Sequence, residues 1–376
     1  MISYMTRTAV EGIDAATVLS CLLAHLSEHD LNAVADQDSW TLDYDGARIV
    51  FLARRDTLQA EVQAPTQEAL FDARMMVHYH VAEFADRDPE LIHWQGDKPE
   101  FERPPAFRLL DVAGIEDLSP HLRRVRFRGT DLHRYQTDDH IHCKLLIPQP
   151  GDTCPQWPTL GTNGLPKMPE GTKRLDMRTY TIRRIDASAG WMEIDFVLHQ
   201  DAGPGSGWAA RAQMGHQLGV SGPGGRTARP ADWMLLAADE TGLPAIARIV
   251  EGLPGHTRGA VIVEVQDAGD EIPLHLPAGM EIHWLHRGQA PAGSTTHLRD
   301  AILAYPIPAG GDRFVWVACE FATAQEVRPW LRQTIGLDRH EQLVVAYWRQ
   351  GIDETRMKGG RQRRSAGVPQ AGTAPE

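Results

Sequence analysis

The sequence predicts a multidomain protein in which a small α+β domain precedes an antiparallel β-barrel and an α/β domain with a parallel sheet. The chain has 376 residues, which is enough for two or three domains of ordinary size. Residues 1–100 carry 18 acidic and 7 basic side chains, whereas the remaining residues carry 32 and 31. The pattern of short strands and helices also changes twice along the chain, so we expect two domain boundaries.

The α+β domain is predicted over residues 1–95. A helix is expected at Asp14–His29, where leucines recur on one face. A second helix is expected at Thr66–Ala85, with Thr66 as its N-cap. Three strands are expected between the helices, at Ser39–Tyr44, Arg48–Ala53 and Leu58–Gln63. The polar, proline-rich segment 96–106 is expected to be a linker.

The barrel is predicted over residues 107–230, because six strands follow one another there without a long helix between them. The expected strands are Phe107–Gly114, His121–Gly129, His140–Ile147, Thr179–Asp186, Trp191–Leu198 and Gln217–Gly222. Between the third and fourth strands lies the excursion Pro148–Arg174, which holds six prolines. We expect this excursion to be a surface loop without strands or helices.

The α/β domain is predicted over residues 231–351, where apolar strands alternate with helices as in a parallel sheet that is covered on both faces. The expected elements are Met234–Ala238, Leu243–Gly252, Gly259–Val265, Met280–Leu285, Thr296–Leu303, Arg313–Cys319, Ala322–Thr334 and Gln342–Trp348. The Gly-, Arg- and Pro-rich residues 352–376 are expected to be a disordered basic tail.

Composition argues against several function classes. The net charge of −12 disfavours nucleic acid as a partner, because phosphate binding requires an excess of Lys and Arg. The four cysteines show no C-x-x-C spacing, and we expect neither disulfides nor a metal site. Histidines at 25, 29, 78 and 80 on the two predicted helices are interpreted as ordinary side chains. No apolar run is long enough to cross a membrane, and no signal pattern opens the chain, so a cytoplasmic location is expected.

The first motif with chemical potential is Arg178-Thr179-Tyr180-Thr181, at the start of the fourth predicted barrel strand. A flavin dinucleotide requires a cation at its pyrophosphate, an aromatic plane at its ring system and a hydrogen bond at the ring edge. Arg178 and Tyr180 share one strand face, and Arg suits bidentate contact with phosphate. An ordinary surface strand explains the same residues about as well when the motif is taken alone.

Two further motifs follow the first. The fifth barrel strand leads through His199 into a glycine-rich loop that holds Gly203, Gly205, Ser206 and Gly207, and a helix is expected to begin near Trp208 and Ala209. Glycines let backbone N–H groups approach an anion, although a flexible turn is the alternative. The first strand of the α/β domain ends at Asp239, Glu240 and Thr241. Ligands of open α/β sheets bind at such strand ends, where these acidic residues would face a ribose hydroxyl or the flavin edge.

In their order, these motifs resemble the siderophore-interacting protein family, the FAD-dependent ferric-siderophore reductases. The resemblance covers residues 107–351. It rests on HCKLLIP at 142–148, RTYTIRR at 178–184, DFVLH at 195–199, GPGSGWA at 203–209, GVSGPGG at 219–225, ADETGLPAIARIVEGLP at 238–254, WVACE at 316–320 and YWRQG at 347–351. Residues 14–94 are similar to a small domain of unknown function that is fused before some of these reductases.

The resemblance implies a ferredoxin-reductase-like fold, an FAD-binding barrel, a nucleotide-binding α/β domain and a role for each matching residue. Arg178 would hold the FAD pyrophosphate, Tyr180 would stack on the isoalloxazine and Thr181 would face its N5 edge, while Thr179 is also expected to bind the cofactor. His199 and the residues 203–209 would line the flavin. The chain departs from the family at Gly205, where Ala is usual, and at Cys319, where Gly is usual.

The implied substrate is a ferric siderophore, and the implied electron donor is NAD(P)H or a ferredoxin. Lys144, Arg226 and Arg349 would bind an anionic siderophore, as inferred from their places in the matching motifs. Siderophores hold Fe(III) with hard oxygen donors that bind Fe(II) more weakly, so reduction would release the metal. Two alternatives stay open, namely a non-redox protein that binds iron–siderophore complexes and a general flavin or ferric reductase.

Overall fold

The protein is described by a computed structural model over residues 3–28, 31–98, 100–199 and 203–352. It divides into two compact units. The first comprises the residues up to 105 together with 157–169, and the second comprises residues 106–156 and those from 170 onward. The predicted basic tail lies outside the described residues, except for Ile352.

The first unit is a six-stranded antiparallel sheet with two helices against one face. Its elements are β1 (Tyr4–Glu11), α1 (Ala15–Glu28), β2 (Val34–Asp36), β3 (Ser39–Tyr44), β4 (Ala47–Arg54), β5 (Thr57–Ala64), α2 (Gln67–Phe84) and β6 (Trp94–Gly96), and the strand order is β2-β3-β4-β5-β1-β6. Alternate residues of β1, β4 and β5 are buried, and they form one core with both helices. Thr66 caps α2 by accepting a hydrogen bond from the Ala69 N–H at 3.1 Å, as the sequence predicts.

The second unit begins with the predicted barrel, and all six of its predicted strands are present. They are β7 (Phe107–Ser119), β8 (Leu122–Arg128), β9 (His142–Pro148), β12 (Leu175–Asp186), β13 (Trp191–Val197) and β14 (Gln217–Gly224), which close antiparallel in the order β12-β13-β8-β7-β14-β9. Inward-facing apolar side chains from every strand fill the barrel. This closure leaves no exposed strand edge.

The α/β part of the second unit follows directly. Its elements are β15 (Trp233–Asp239), α4 (Leu243–Glu251), β16 (Arg258–Val265), β17 (Gly279–His286), α5 (His297–Ala304), β18 (Arg313–Glu320), α6 (Phe321–Gln333) and β19 (Gln342–Trp348). All five strands are parallel in the order β17-β16-β15-β18-β19, and buried residues cover both faces of the sheet. The fold class predicted from the sequence is therefore confirmed.

Three local predictions differ from the structure. The main sheet of the first unit has six strands among the described residues rather than three, since β1, β2 and β6 were not predicted. The excursion expected to lack strands contains the hairpin β10 (Thr159–Leu160) and β11 (Pro166–Lys167), which belongs to the first unit. Its Leu160 and Leu165 pack near Phe71 and Met75 of α2, and this apolar contact explains why the segment is ordered. The helix expected near Trp208 begins earlier, as α3 (Pro204–Ala210).

None of the helices described here is both long enough and apolar enough to cross a membrane. Within the same residues, no group of three or more His, Cys, Asp or Glu side chains could hold a metal ion. His25 and His80 lie close together, with ring centroids 5.0 Å apart, and His29 lies outside the described residues.

Candidate functional site

The Arg178–Thr181 motif lies on β12 where that strand pairs with β9. Tyr180 pairs with Cys143 and packs against the barrel core. Because strand side chains alternate, Thr179 and Thr181 project from the opposite, outer face. Their partners across the pair are Lys144 and His142. The motif therefore presents an aromatic ring at the barrel core and two hydroxyls on the opposite face of the strand, where Thr179 is exposed and Thr181 is buried.

Tyr180 belongs to an aromatic cluster beside α3. Its ring centroid is 4.6 Å from that of Phe196, which in turn lies 5.8 Å from that of Trp208. Gly205 of α3 is directly against the tyrosine, since a Cβ at this position would lie 2.1 Å from Tyr180 Oη. The motifs at 178–181 and 203–209, which are some 25 residues apart in sequence, therefore meet in the fold. The glycine-rich segment forms the start of α3, and the missing side chain at Gly205 leaves room for the tyrosine.

Arg178 carries a half-buried guanidinium that remains available to an anion. Its Nη1 donates to the carbonyl oxygen of Met177 at 2.9 Å. Within the described part of the chain, no carboxylate pairs with it. An arginine fork without an acidic partner fits a pyrophosphate. Together with the hydroxyl of Thr181 and the ring of Tyr180, this donor set fits FAD.

The outer face of the barrel carries a second row of polar groups, of which only Lys144 was predicted from the sequence as a site residue. Lys144 donates to the Thr179 hydroxyl and lies opposite Ser221 of β14. His142 Nε2 is 2.6 Å from the phenol oxygen of Tyr347 on β19. Burial lowers the pKa of His142 to about 4, assisted by nearby cations, so the imidazole is neutral at pH 7. This contact joins the barrel to the last strand of the sheet.

His199 lies just after β13, at a more exposed position than Tyr180. The His199 side chain is exposed, and its backbone N–H donates to Ser206 Oγ at 3.1 Å. Gly203 precedes α3 and Ala209 is buried within it. The intervening residues 200–202 lie outside the described residues.

The acidic residues at the end of β15 are held by partners within the protein. One Asp239 oxygen accepts from the Thr241 N–H at 2.9 Å, and the other accepts from the Glu320 N–H and from Trp348 Nε1 at 2.9 and 2.8 Å. The carboxylate therefore fastens the ends of β15, β18 and β19 together. Burial raises its pKa.

Glu240 is paired rather than free. It forms an ion pair with Arg287 at 2.8 Å. Burial, and then repulsion from Asp239, raises the Glu240 pKa to about 7 even though Arg287 opposes the shift. Cys319, on the neighbouring strand β18, is also buried, and burial raises the pKa of its thiol.

The three predicted substrate-binding cations lie on different elements of the second unit. Lys144 is half-buried on β9, whereas Arg226 and Arg349 are exposed just after β14 and β19. The Arg349 guanidinium carbon is 4.6 Å from the ring centroid of Phe321, a cation–π contact that orients it. Because β14 lies beside β9 in the barrel, Lys144 and Arg226 are on neighbouring strands.

Comparison with known proteins follows the same division of the chain. The siderophore-interacting FAD-binding domain family matches residues 111–227, and the siderophore-interacting protein family matches residues 231–351. A family described as an uncharacterized protein conserved in bacteria matches residues 7–95.

Individual proteins that are similar to this chain support the same family assignment. The chain is 34% identical to the ferric vibriobactin reductase ViuB of Vibrio cholerae over 257 residues, which are 66% of this chain and 91% of the relative. It is 35% identical to the NADPH-dependent ferric-chelate reductase of Escherichia coli over 224 residues, covering 57% and 82% of the two chains. A crystal structure of a siderophore utilization protein from T. fusca is 36% identical with a TM-score of 0.60, and the alignment covers 66% of this chain and 94% of that one. The chain belongs to the siderophore-interacting protein family and is an FAD-binding oxidoreductase.

Proposed function

We propose that the protein reduces ferric siderophores in the cytoplasm, converting Fe(III) to Fe(II) with electrons that reach its FAD from NAD(P)H or a ferredoxin. The observation that carries this proposal is the arrangement on β12, where an aromatic ring, a buried threonine and an arginine without a carboxylate partner among the described residues lie within four positions. Two relatives, a ferric vibriobactin reductase and an NADPH-dependent ferric-chelate reductase, support the substrate class and favour NADPH among the donors.

Each residue of the motif would have a separate task. Arg178 binds the pyrophosphate, Tyr180 packs against the ring system and Thr181 hydrogen-bonds its edge. When bound, FAD accepts two electrons together and passes them on singly, which a nicotinamide cannot do. The neutral His142 beside Thr181 adds no charge to the ring edge, and the bond to Tyr347 fixes its orientation.

Reduction of the iron requires few further groups from the protein. Hard oxygen donors of a siderophore hold Fe(II) far more weakly than Fe(III), so one electron per iron weakens the complex without cleaving the chelator. Lys144, Arg226 and Arg349 would attract an anionic complex to the barrel surface. One two-electron reduction of the flavin would reduce two irons. Because the electrons pass to a metal that the siderophore already holds, the reaction requires a solvent-accessible, positively charged surface and no protein ligands to the iron.

The role of Arg178 is tested by Arg178→Ala, with Arg128→Ala as the control on the same barrel. Arg128 is exposed at the end of β8, opposite Asp111 and Trp191 on strands that do not carry the motif. We expect Arg178→Ala to weaken FAD binding at least about tenfold, because it removes a charge-assisted contact with phosphate, and to leave the unfolding transition of the flavin-free protein unchanged. Flavin fluorescence titration measures the affinity. Equal FAD affinity in the two variants would contradict the assignment.

A further inference from the structure

Arg74, in the middle of α2, is a buried cation without a buried anion. Its side chain is only 3% exposed. Nη2 donates to the carbonyl oxygen of Asn163 at 2.7 Å, and the guanidinium carbon lies 5.5 Å from the ring centroid of Trp94. Nε has no hydrogen-bond partner, and no carboxylate pairs with the guanidinium among the residues that the structure describes. Buried charges in proteins are normally paired, so this one indicates a missing counter-ion.

A cavity of about 160 Å³ lies beside this arginine, entirely within the first unit. It is lined by Thr6, Arg74, Ile92, His93, Trp94, Asp97, Lys98, Thr162 and Asn163. Gly164 lets the 157–169 segment approach closely, since a Cβ there would lie 3.3 Å from both terminal nitrogens of Arg74. A cavity of similar volume, about 150 Å³, is large enough for benzene. The space therefore suits a small molecule or a polyatomic anion rather than a peptide.

The charges around the cavity favour an anion, although the domain as a whole is acidic. Arg74 and Lys98 contribute two positive charges, and Asp97 contributes one negative charge whose Oδ2 accepts from the Met5 N–H at 2.8 Å. His78, behind Trp94, accepts from the indole N–H at 3.1 Å. Burial, followed by repulsion from Arg74, lowers the His78 pKa to about 4, so this histidine stays neutral at pH 7. The lining carries a net positive charge inside a negatively charged domain.

We propose that this cavity is a binding site for a small oxyanion, a carboxylate or a phosphate, whose oxygens pair with Arg74 and Lys98. The Arg74 guanidinium can bind either group in a bidentate manner. It has five N–H donors, and its hydrogen bond to the Asn163 carbonyl oxygen uses one of them. Threonine hydroxyls at 6 and 162 add neutral polar groups to the same lining. The ligand site lies outside the two reductase domains and does not depend on FAD.

The experiment is isothermal titration of the full chain with benzoate, acetate and inorganic phosphate, with sodium chloride at matched ionic strength as the blank. We expect at least one of the three anions to bind with a dissociation constant below about 1 mM and to raise the melting temperature by mass action. Tighter binding of benzoate than of phosphate assigns the site to carboxylates, and the reverse order assigns it to phosphates. Absence of heat and of a thermal shift with all three overturns the proposal.

Four variants separate binding from folding. Arg74→Met should weaken binding at least about 30-fold without destabilising the ligand-free protein, because an apolar side chain replaces an unpaired buried charge. Arg7→Met, on the exposed part of β1, is the control and should bind as the parent does. Lys98→Ala should weaken binding about threefold to tenfold, and Asp97→Asn should strengthen it about threefold because a repelling charge is lost. Misfolding cannot cause tighter binding, so unchanged affinity in both Lys98→Ala and Asp97→Asn would also contradict the site.

Discussion

Single residues decide how the flavin motif is placed, and Gly205 is the clearest case. The phenol of Tyr180 occupies the space that any larger residue at 205 would fill. The sequence predicted an anion-binding loop here, at a position where the resembling family usually has Ala. In this structure the glycine also has a packing role, because a Cβ at this position would lie 2.1 Å from Tyr180 Oη and the tyrosine would have to shift.

Gly205→Ala is therefore expected to overpack the cluster of Tyr180, Phe196 and Trp208. We expect the flavin-free protein to lose about 1–3 kcal/mol of unfolding free energy, as inserted methyl groups in packed cores typically cost. Gly203→Ala is the control, since none of the described residues has an atom within 4 Å of its Cβ position. Urea unfolding monitored by tryptophan fluorescence measures both. A loss in Gly203→Ala as large as that in Gly205→Ala would refute the packing role.

The substrate-binding cations also act as single residues. Lys144→Ala and Arg349→Ala should each raise KM for an anionic ferric siderophore by roughly threefold to tenfold, as the loss of one attracting charge predicts. The visible flavin spectrum should change little, because Arg178, Tyr180 and Thr181 are kept, although Lys144→Ala removes a hydrogen bond to the Thr179 hydroxyl. Arg258→Ala is a suitable control, since Arg258 is exposed at the start of β16. Glu264, which pairs with Asp239, lies near the opposite end of the same strand. Equal KM values in all three variants would exclude these two cations from substrate binding.

The residue-scale site was predictable in part. The motif 178–181 and its separation from 203–209 were visible in the sequence, because each is a local pattern. The pair His142–Tyr347 joins residues 205 positions apart, and Arg74 meets Asn163 across 89 positions. No periodicity or spacing encodes such contacts, which arise only when the chain folds.

At the scale of elements, α4 fastens the α/β domain to the strand that carries the flavin motif. Glu251, its last residue, accepts from Arg183 at 2.7 Å through both oxygens and from Arg184 at 2.9 Å. Arg248, one turn earlier, donates to the carbonyl oxygen of Ile182 at 2.6 Å. The residues 182–184 follow directly after Thr181, so α4 sets the position of β12 just past the motif.

Glu251→Gln should loosen this contact in a pH-dependent manner. Although partial burial acts to raise it, the two arginines lower the Glu251 pKa to about 2 from an ordinary 4.5. The stability from this carboxylate is therefore present above about pH 4.5 and is lost as the pH falls through about 2. We expect the variant to be roughly 1–3 kcal/mol less stable near neutrality, and this deficit to shrink progressively as the solution is acidified below about pH 4.5.

Urea unfolding at several pH values measures this prediction, with Glu326→Gln as the control. Glu326 forms an exposed pair with Arg299 at 2.9 Å, and such pairs contribute little stability. A deficit of Glu251→Gln that stays constant from neutral pH to about pH 3 would show that the carboxylate charge does not hold α4 to the barrel.

The elements themselves were largely predictable where apolar alternation is strong, as in the barrel and the parallel sheet. They were missed where polar residues take the inward positions. Thr6 and Thr8 are two of the three buried positions of β1, and their hydroxyls donate to the carbonyl oxygens of Gln95 and His93 at 3.0 and 2.8 Å. These bonds satisfy buried polar groups that hydrophobic patterning cannot register. The three-residue strands β2 and β6 are too short to show any period.

At the scale of the whole molecule, the charge step along the chain coincides with a change in architecture. The first 100 residues carry a net charge of −11, and the residues after them are nearly neutral. The proposed oxyanion site is thus a local positive feature within the acidic unit. The near-neutral second unit would let an anionic ferric complex approach its cations without the repulsion that the total charge of −12 suggests.

The central claim, that reduced flavin on this chain passes electrons to a siderophore-bound iron, is tested most directly in one anaerobic experiment. The FAD-loaded protein is reduced photochemically, so that no donor is assumed, and is mixed with a ferric siderophore in the presence of a colorimetric Fe(II) chelator. The account predicts that the visible flavin band returns while two Fe(II) are captured per flavin. A flavin that stays reduced beside an excess of ferric siderophore, or a chain that cannot be loaded with FAD, would contradict it.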